Sequence, residues 1–559
     1  MQSPAVDTAW VQSVYASGGR DHLGTQAPCM SLYAQLVPGI NNVTDRARYY
    51  AFYPWLFWSL DQRSGGELTY DEYVDTLRRA DCLFTLIGLA HEQEEGQSGP
   101  VTDHSAALVG SDTLSDKVSK LRDGGSLSLS VYAQLRDGPN RYFQNKLGGL
   151  GQYYKGTLQN LGVLDDDSNS VVKCTSDRGA TLAKAFDQGV DGDRFFAILD
   201  RDEVDYRELC TLSSFCPCGI PDNTPEQKEL ADVFFGTSKA SRSSRRRRAT
   251  LGLILDLVRT SGPSDRDLDG SQLRRRFYTQ TTMSGADWRP ERFTEHLHDW
   301  RTYIRNDLFS VALQGIFWSL VVILDSSDRR FSSTIRFVEH LSQSNQLSKV
   351  RSKLHNQTVS EFLDEVKEKL PPIRDGKDPQ HEQHIAFSIS RLTSDSESPE
   401  SDIPTVLGMA LHLLASLAIR SQNNADPYDS FSHRSGYFDH YPLNLRTFRR
   451  HLDETWSDMS AWKWFEWLAR NWSIDAHLRV ALRKLQQQTK STFVVQPGER
   501  GLQVREEIPE PVFTTPRLNQ TIQMLRDIGC FSVRDEQLIL SEFGIKRLSE
   551  INKAAEHDV

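Results

Sequence analysis

Between Thr44 and Trp58 the chain reads TDRARYYAFYPWLFW, and beyond Arg48 this run is apolar on every face a helix could present. A helix without a polar stripe has to be enclosed on all sides, so the run demands a domain built around it. Gly39, Asn41 and Asn42 break the chain just before it, which predicts an N-cap at Thr44, Asp45 in the first turn and a helix to about Leu60. Pro54 falls inside that helix and removes one backbone hydrogen bond. Arg46 and Arg48 beside Tyr49, Tyr50 and Trp55 carry the types that grip phosphate and stack on bases. Base-stacking rings need an exposed stripe, and this run has none. The reading is therefore a core helix whose arginines pair with neighbouring acids.

A chain of 559 residues predicts three or four domains at about 150 residues each. The net charge of -10 leaves no basic field over the whole molecule, so any contact with nucleic acid has to come from local patches. Seven scattered cysteines suit a reducing compartment better than a disulfide framework. The N-terminal residues lack the basic and apolar regions of a leader, which points to the cytoplasm. Leu308–Leu324 is apolar but carries Ser310, Gln314, Gly315 and Ser319, and it falls short of the ~20 residues a membrane span needs. It reads as a buried core helix, with no membrane partner.

The expected fold is mainly α, a multi-domain helical protein with two winged-helix-like (α+β) units. The boundaries read as an N-terminal helical domain at 1–135, a winged-helix-like unit at 136–190 and a helical domain at 191–370. A linker or flexible loop follows at 371–403, rich in Asp, Ser, Gly and Pro, then a helical domain at 404–490 and a C-terminal winged-helix-like unit at 491–559. Both winged-helix expectations rest on a shared order of helix, turn, short hairpin and helix, visible in LQNLGVLDDD…VVKCTSDRGATLA and in MLRDIGCFSVRDEQLILSEFGIKRL. Thr492–Val495 is expected as a strand beside the second unit.

DNA-binding candidates follow from these units. Arg517, Asn519, Gln520 and Arg526 lie on the long helix of the C-terminal unit, while Asp535 and Glu536 on its wing would repel phosphate. The first unit is less suited, with Asp165, Asp166 and Asp167 on its wing. Arg242 and the run Arg245, Arg246, Arg247 and Arg248 open another helix, where positive charge opposes the helix dipole and calls for compensation by phosphate, an acidic surface or solvent.

Catalytic and metal motifs are thin. Cys210, Cys216 and Cys218 resemble part of a zinc site, but four ligands are needed and no second pair lies nearby, so ligand count points to buried small residues and no metal. Pro221, Asp222, Glu226 and Lys228 spell the letters of a PD-(D/E)xK nuclease at a spacing too short for ligands from separate strands. Asp222–Pro225 reads instead as a turn and a helix start. His296/His298 and His381/His384 lack the HExxH spacing. No catalytic residue and no cofactor is assigned.

Leu36–Trp58, with LVPGINNVTDRARYYAFYPWLFW, resembles the N-terminal signature of bacterial defence-island families that carry a PG…T.RARY…F.PW element, and FCPCGIPDNTPEQKELADVFF and HLRVALRKLQQQTKSTFVV are similar to later segments of such proteins. The resemblance implies a subunit of an anti-phage defence complex, encoded beside an ATPase or a nuclease. Three readings stay open: a non-catalytic subunit that binds partner proteins and double-stranded DNA, a metal-dependent nuclease with dispersed acidic ligands, and a pure protein scaffold.

Overall fold

The computed structural model describes residues 21–556, apart from 96–106, 166–171, 219, 223, 237–240, 266–267, 423–441, 488–490, 506 and 535–536. The protein is mainly helical. Its principal helices in chain order are α1 (Tyr49–Ser64), α2 (Tyr70–Glu95), α3 (Arg178–Asp187), α4 (Pro225–Phe235), α5 (Arg242–Ser261), α6 (Gly270–Thr279), α7 (Thr294–Asp325), α8 (Glu382–Ser394), α9 (Pro399–Gln422), α10 (Asp475–Gln487), α11 (Leu518–Asp527) and α12 (Glu542–Glu556). The strands are short: β1 (Ser126–Ser128), β2 (Glu203–Asp205), β3 (Ser264–Asp265), β4 (Val495–Gly498), β5 (Gly501–Val504), β6 (Phe531–Arg534) and β7 (Gln537–Leu540). The chain divides into two compact units rather than six segments. One comprises residues 1–32, 277–279 and 298–514, and the other residues 33–276, 280–297 and 515–559.

In the second of these units α1 is the central helix, with Tyr49 through Phe57 all buried. It begins at Tyr49, five residues later than the cap expected at Thr44. The reason lies in the preceding groups: the Thr44 hydroxyl accepts from Tyr50 Oη at 2.9 Å, and the Ala47 amide donates to the Asp527 carboxylate at 2.8 Å. Both are thereby committed outside a helical first turn. Pro54 sits within the helix without ending it, and Gly65 closes it in the left-handed conformation. Trp55 Nε1 donates to Asp187 on α3 at 2.8 Å, so even this buried indole is satisfied. Around Tyr53 the buried Asp81 of α2 accepts from Tyr53 Oη, Tyr142 Oη and the Gly149 amide at 2.8, 3.0 and 2.9 Å.

The only three-stranded sheet among the described residues also lies in this unit, in the order β3–β7–β6 with both pairs antiparallel. The local order is α5, β3, α6 and then, beyond an insertion that carries the bulk of the other unit, α11, β6, β7 and α12. The expected C-terminal segment 491–559 therefore holds only half of this assembly. Asp535 and Glu536 lie outside the described residues. At 136–190 the described residues form helices flanking a single bridge, Leu164 to Cys174, and no sheet. Asp166 and Asp167 there also fall outside the described residues.

In the other unit the stretch 371–403, expected as a linker, carries α8 and the start of α9. Ile385, Ala386 and Ile389 give α8 a buried face, and His381 caps it by accepting from the Gln383 amide, so the polar composition covers only its outer side. Glu382 is wholly buried, taking 2.6 Å from Tyr278 Oη and 2.9 Å from Arg420 Nε. Trp456, Trp467 and Trp472 pack edge to face with centroids 4.9 to 5.6 Å apart. The strand expected at Thr492–Val495 begins at Val495 and pairs with β5 as a separate hairpin, not with the C-terminal sheet. Two helices, Thr294–Asp325 and Pro399–Ser421, are long and apolar enough to cross a membrane, and 94% and 61% of their most apolar windows are buried within the chain.

Candidate functional site

Arg46 and Arg48 are turned inward. Arg48 grips Glu226 of α4 through two bonds, Nε at 3.0 Å and Nη2 at 3.1 Å, and its guanidinium lies 5.2 Å from the centroid of Phe186. Arg46 faces Asp527 of α11 at 3.6 Å. Burial pushes the Asp527 carboxyl up to about 6, while Arg46 and the Ala47 amide oppose the shift. Tyr49, Tyr50 and Trp55 are fully buried and Trp58 is half-buried, so the run presents no stripe of rings to a nucleic acid.

The long arginine run is divided between solvent and interior. Arg242 and Arg245 are exposed and Arg246 is half-buried. Arg247 is enclosed and donates to the carbonyls of Phe234, Pro38 and Val233 at 2.5, 3.0 and 3.0 Å, and the buried Arg248 reaches the Gly236 carbonyl at 3.5 Å. These two therefore cap the end of α4 and its neighbouring backbone and are not available to phosphate. On α11 the same inward use recurs. Arg517 donates to the Ile40 carbonyl at 2.6 Å, Asn519 Oδ1 accepts from the Gly270 amide at 2.6 Å, Gln520 is buried and bonds Asp45, and Arg526 points to the Leu268 carbonyl at 3.4 Å. Leu518, Thr521, Ile522, Met524 and Leu525 are buried as well, so α11 is enclosed over most of its circumference. A helix so placed cannot enter a major groove without giving up these contacts.

The letters of the nuclease motif fall on a helix start. Thr224 caps α4 by accepting from the Gln227 amide, Pro225 occupies the first turn, and Asp222 accepts from Gln227 Nε2 at 3.1 Å. His296 is buried against the Thr250 hydroxyl at 2.8 Å, and burial pushes its imidazole down to about 3, so it stays neutral.

One constellation escaped the sequence. The side chains of Cys216 and Cys218 meet His91 from the last turns of α2, with the three ligand atoms within 4.8 Å of one another. Cys218 Sγ lies 3.5 Å from His91 Nδ1. Cys210 is not part of the group. Sequence reasoning stopped at three cysteines because His91 lies more than a hundred residues away, and no local spacing could have signalled it. Among the described residues this is the one group of three or more metal-capable side chains, and it contains no carboxylate.

The loop bearing the two thiols is held firmly. A short helical turn, Ser213–Phe215, ends where the Cys216 amide donates to the Ser213 carbonyl at 2.9 Å. Phe215 is locked among Trp55, Phe186 and Phe195, with ring centroids 5.1, 5.8 and 4.6 Å away. Arg48 Nη1 donates to the Cys216 carbonyl at 2.7 Å, so the Arg48–Glu226 pair also fixes this loop. Gly88, one turn before His91, packs against Leu108, whose Cδ1 would stand 2.8 Å from an added Cβ, with Pro217 Cδ at ordinary contact distance beside it. Cys216 is buried, while Cys218 and His91 are half-buried. The hydrogen bond shared with Cys218, and burial, raise the Cys216 thiol far above its usual range.

Comparison of the chain with protein-family models, with curated proteins and with solved structures gives no match.

Proposed function

We propose that the chain is a non-catalytic subunit of a bacterial anti-phage defence complex that works in the cytoplasm by docking partner proteins, such as an ATPase or a nuclease encoded beside it. The observation that carries this reading is the enclosure of α11. The order α5, β3, α6, α11, β6, β7, with strands ordered β3–β7–β6, supports a winged-helix unit interrupted by a long insertion. In such a unit α11 would be the helix that reads DNA, yet it is spent on contacts within its own domain. Winged helices also act as protein-docking modules, and that use needs no free recognition helix. The absence of carboxylates from the cysteine–histidine group argues against an acidic two-metal nuclease centre there.

Co-expression of the chain with its neighbouring genes tests the proposal. The expected result is a stoichiometric complex that survives gel filtration, with no salt-sensitive duplex binding by the isolated chain. Tight duplex binding that falls steeply with salt and is lost in Arg242→Ala/Arg245→Ala would replace docking by DNA contact. Plasmid cleavage with Mg²⁺ or Mn²⁺ that EDTA abolishes would make the chain an enzyme.

A further inference from the structure

We propose that His91, Cys216 and Cys218 bind one zinc ion, clamping the Cys-Pro-Cys loop to the end of α2. Zinc bonds of about 2.3 Å to sulfur and 2.0–2.1 Å to nitrogen, at tetrahedral angles, put sulfur and nitrogen ligands about 3.5–3.6 Å apart. The Cys218 Sγ to His91 Nδ1 separation of 3.5 Å already has that value. All three donor atoms fall within 4.8 Å, so a single ion reaches each of them with side-chain adjustments of well under a bond length. Two thiolates and a neutral imidazole are the donor set a borderline-soft divalent ion prefers, and hard-cation sites use oxygen instead.

Charge favours the same assignment. Two thiolates offset the two positive charges of zinc, so the half-buried site gains no net charge. The neighbouring Arg48 and Arg46 are meanwhile balanced by Glu226 and Asp527. The scaffold is built in advance: Arg48 holds the Cys216 carbonyl and Phe215 anchors the loop. Binding displaces one proton from each thiol to solvent and forms three bonds to protein. His91 and Cys218 are only half-buried, which puts the fourth position of a tetrahedral ion within reach of water.

The full chain, purified without a polyhistidine tag and fully reduced, should carry close to one zinc per chain by elemental analysis. Cobalt taken up in its place should show the sulfur-to-metal charge-transfer band and the intense visible bands of a tetrahedral thiolate site. His91→Gln and Cys218→Ser alter half-exposed positions, so the fold should survive by circular dichroism. Each should weaken metal retention at least about tenfold. Cys210→Ser should leave it unchanged. A reduced, folded chain that takes up neither zinc nor cobalt overturns the proposal. So does metal binding that is undiminished in both His91→Gln and Cys218→Ser. Neither outcome depends on whether the chain docks partners.

Discussion

The Arg48–Glu226 pair supplies the sharpest energetic test. Both side chains are almost fully enclosed, at 3% and 2% exposure, and two N–H···O bonds join them. Unit charges about 4 Å apart in an effective dielectric near 20 attract by ~4 kcal/mol. Glu226→Leu removes that attraction and leaves the guanidinium buried, which costs about 3–5 kcal/mol for a pair of this kind. Arg48→Met leaves the carboxylate buried instead and should cost a similar amount. The double variant Arg48→Met/Glu226→Leu removes both charges together with their desolvation penalty. It still loses the donor to the Cys216 carbonyl and the cation over Phe186, so its expected cost is about 1–2 kcal/mol. Hydrogen exchange in increasing urea, read on peptides from α1 and α4, isolates the stability of this unit from that of the other. The double variant should be more stable than either single one, while residues 213–218 exchange faster in both variants that lack Arg48. If the cost of the double equals the sum of the singles to within about 0.5 kcal/mol, the pair is not coupled and the reasoning fails.

Burial pushes the Asp81 carboxyl up to about 6 against an ordinary value of 3.8, so the folded state holds a proton that the unfolded chain releases. Its contribution to stability is therefore full below about pH 4 and is lost as pH rises through 6, by up to ~3 kcal/mol; Asp81→Asn should flatten that decline in urea unfolding measured from pH 4 to 7. Arg247→Ala strips donors from three carbonyls and should cost about 3 kcal/mol, whereas the exposed Arg245→Ala should change stability by less than ~0.5 kcal/mol in the same unfolding assay. Gly544→Ala would place a Cβ 2.2 Å from the Cys530 carbonyl oxygen, a backbone atom that cannot rotate away, and should cost about 2–3 kcal/mol, read as a lower melting temperature.

The class of fold was legible because it depends on patterns that span a few turns. The Thr44–Trp58 run shows on its face that it must be enclosed, and residues 46–57 are buried without a break. Where α1 begins was not legible, since it turns on Ala47 meeting Asp527 from the far end of the chain. The stretch 371–403 misled because Asp, Ser and Pro describe the outer side of α8 and the caps around it as well as they describe a loop. The arginine run misled in a different way: charge is local, but whether carbonyls of Val233, Phe234 and Pro38 stand ready to receive it is not. The His91–Cys216–Cys218 group was invisible for the same reason, and β3 joined the C-terminal hairpin across the long insertion without any signal in its two residues.

That divided sheet has a consequence for how the protein is made. β3 waits for β7 and Arg46 for Asp527, so the domain begun at Tyr33 cannot close until residues 527–540 leave the ribosome. About 240 residues separate Arg276 from Thr515, and at roughly 5–20 residues per second their synthesis alone takes about 12–50 s. Throughout that interval Arg46 lacks its acid and β3 presents an unpaired edge, while the inserted unit has most of its sequence in hand and can fold first. A chain cut short before Asp527 leaves an open sheet and an uncompensated charge in the older half. The β6–β7 hairpin thus completes a sheet begun about 270 residues earlier, and without it the β3 edge stays unpaired.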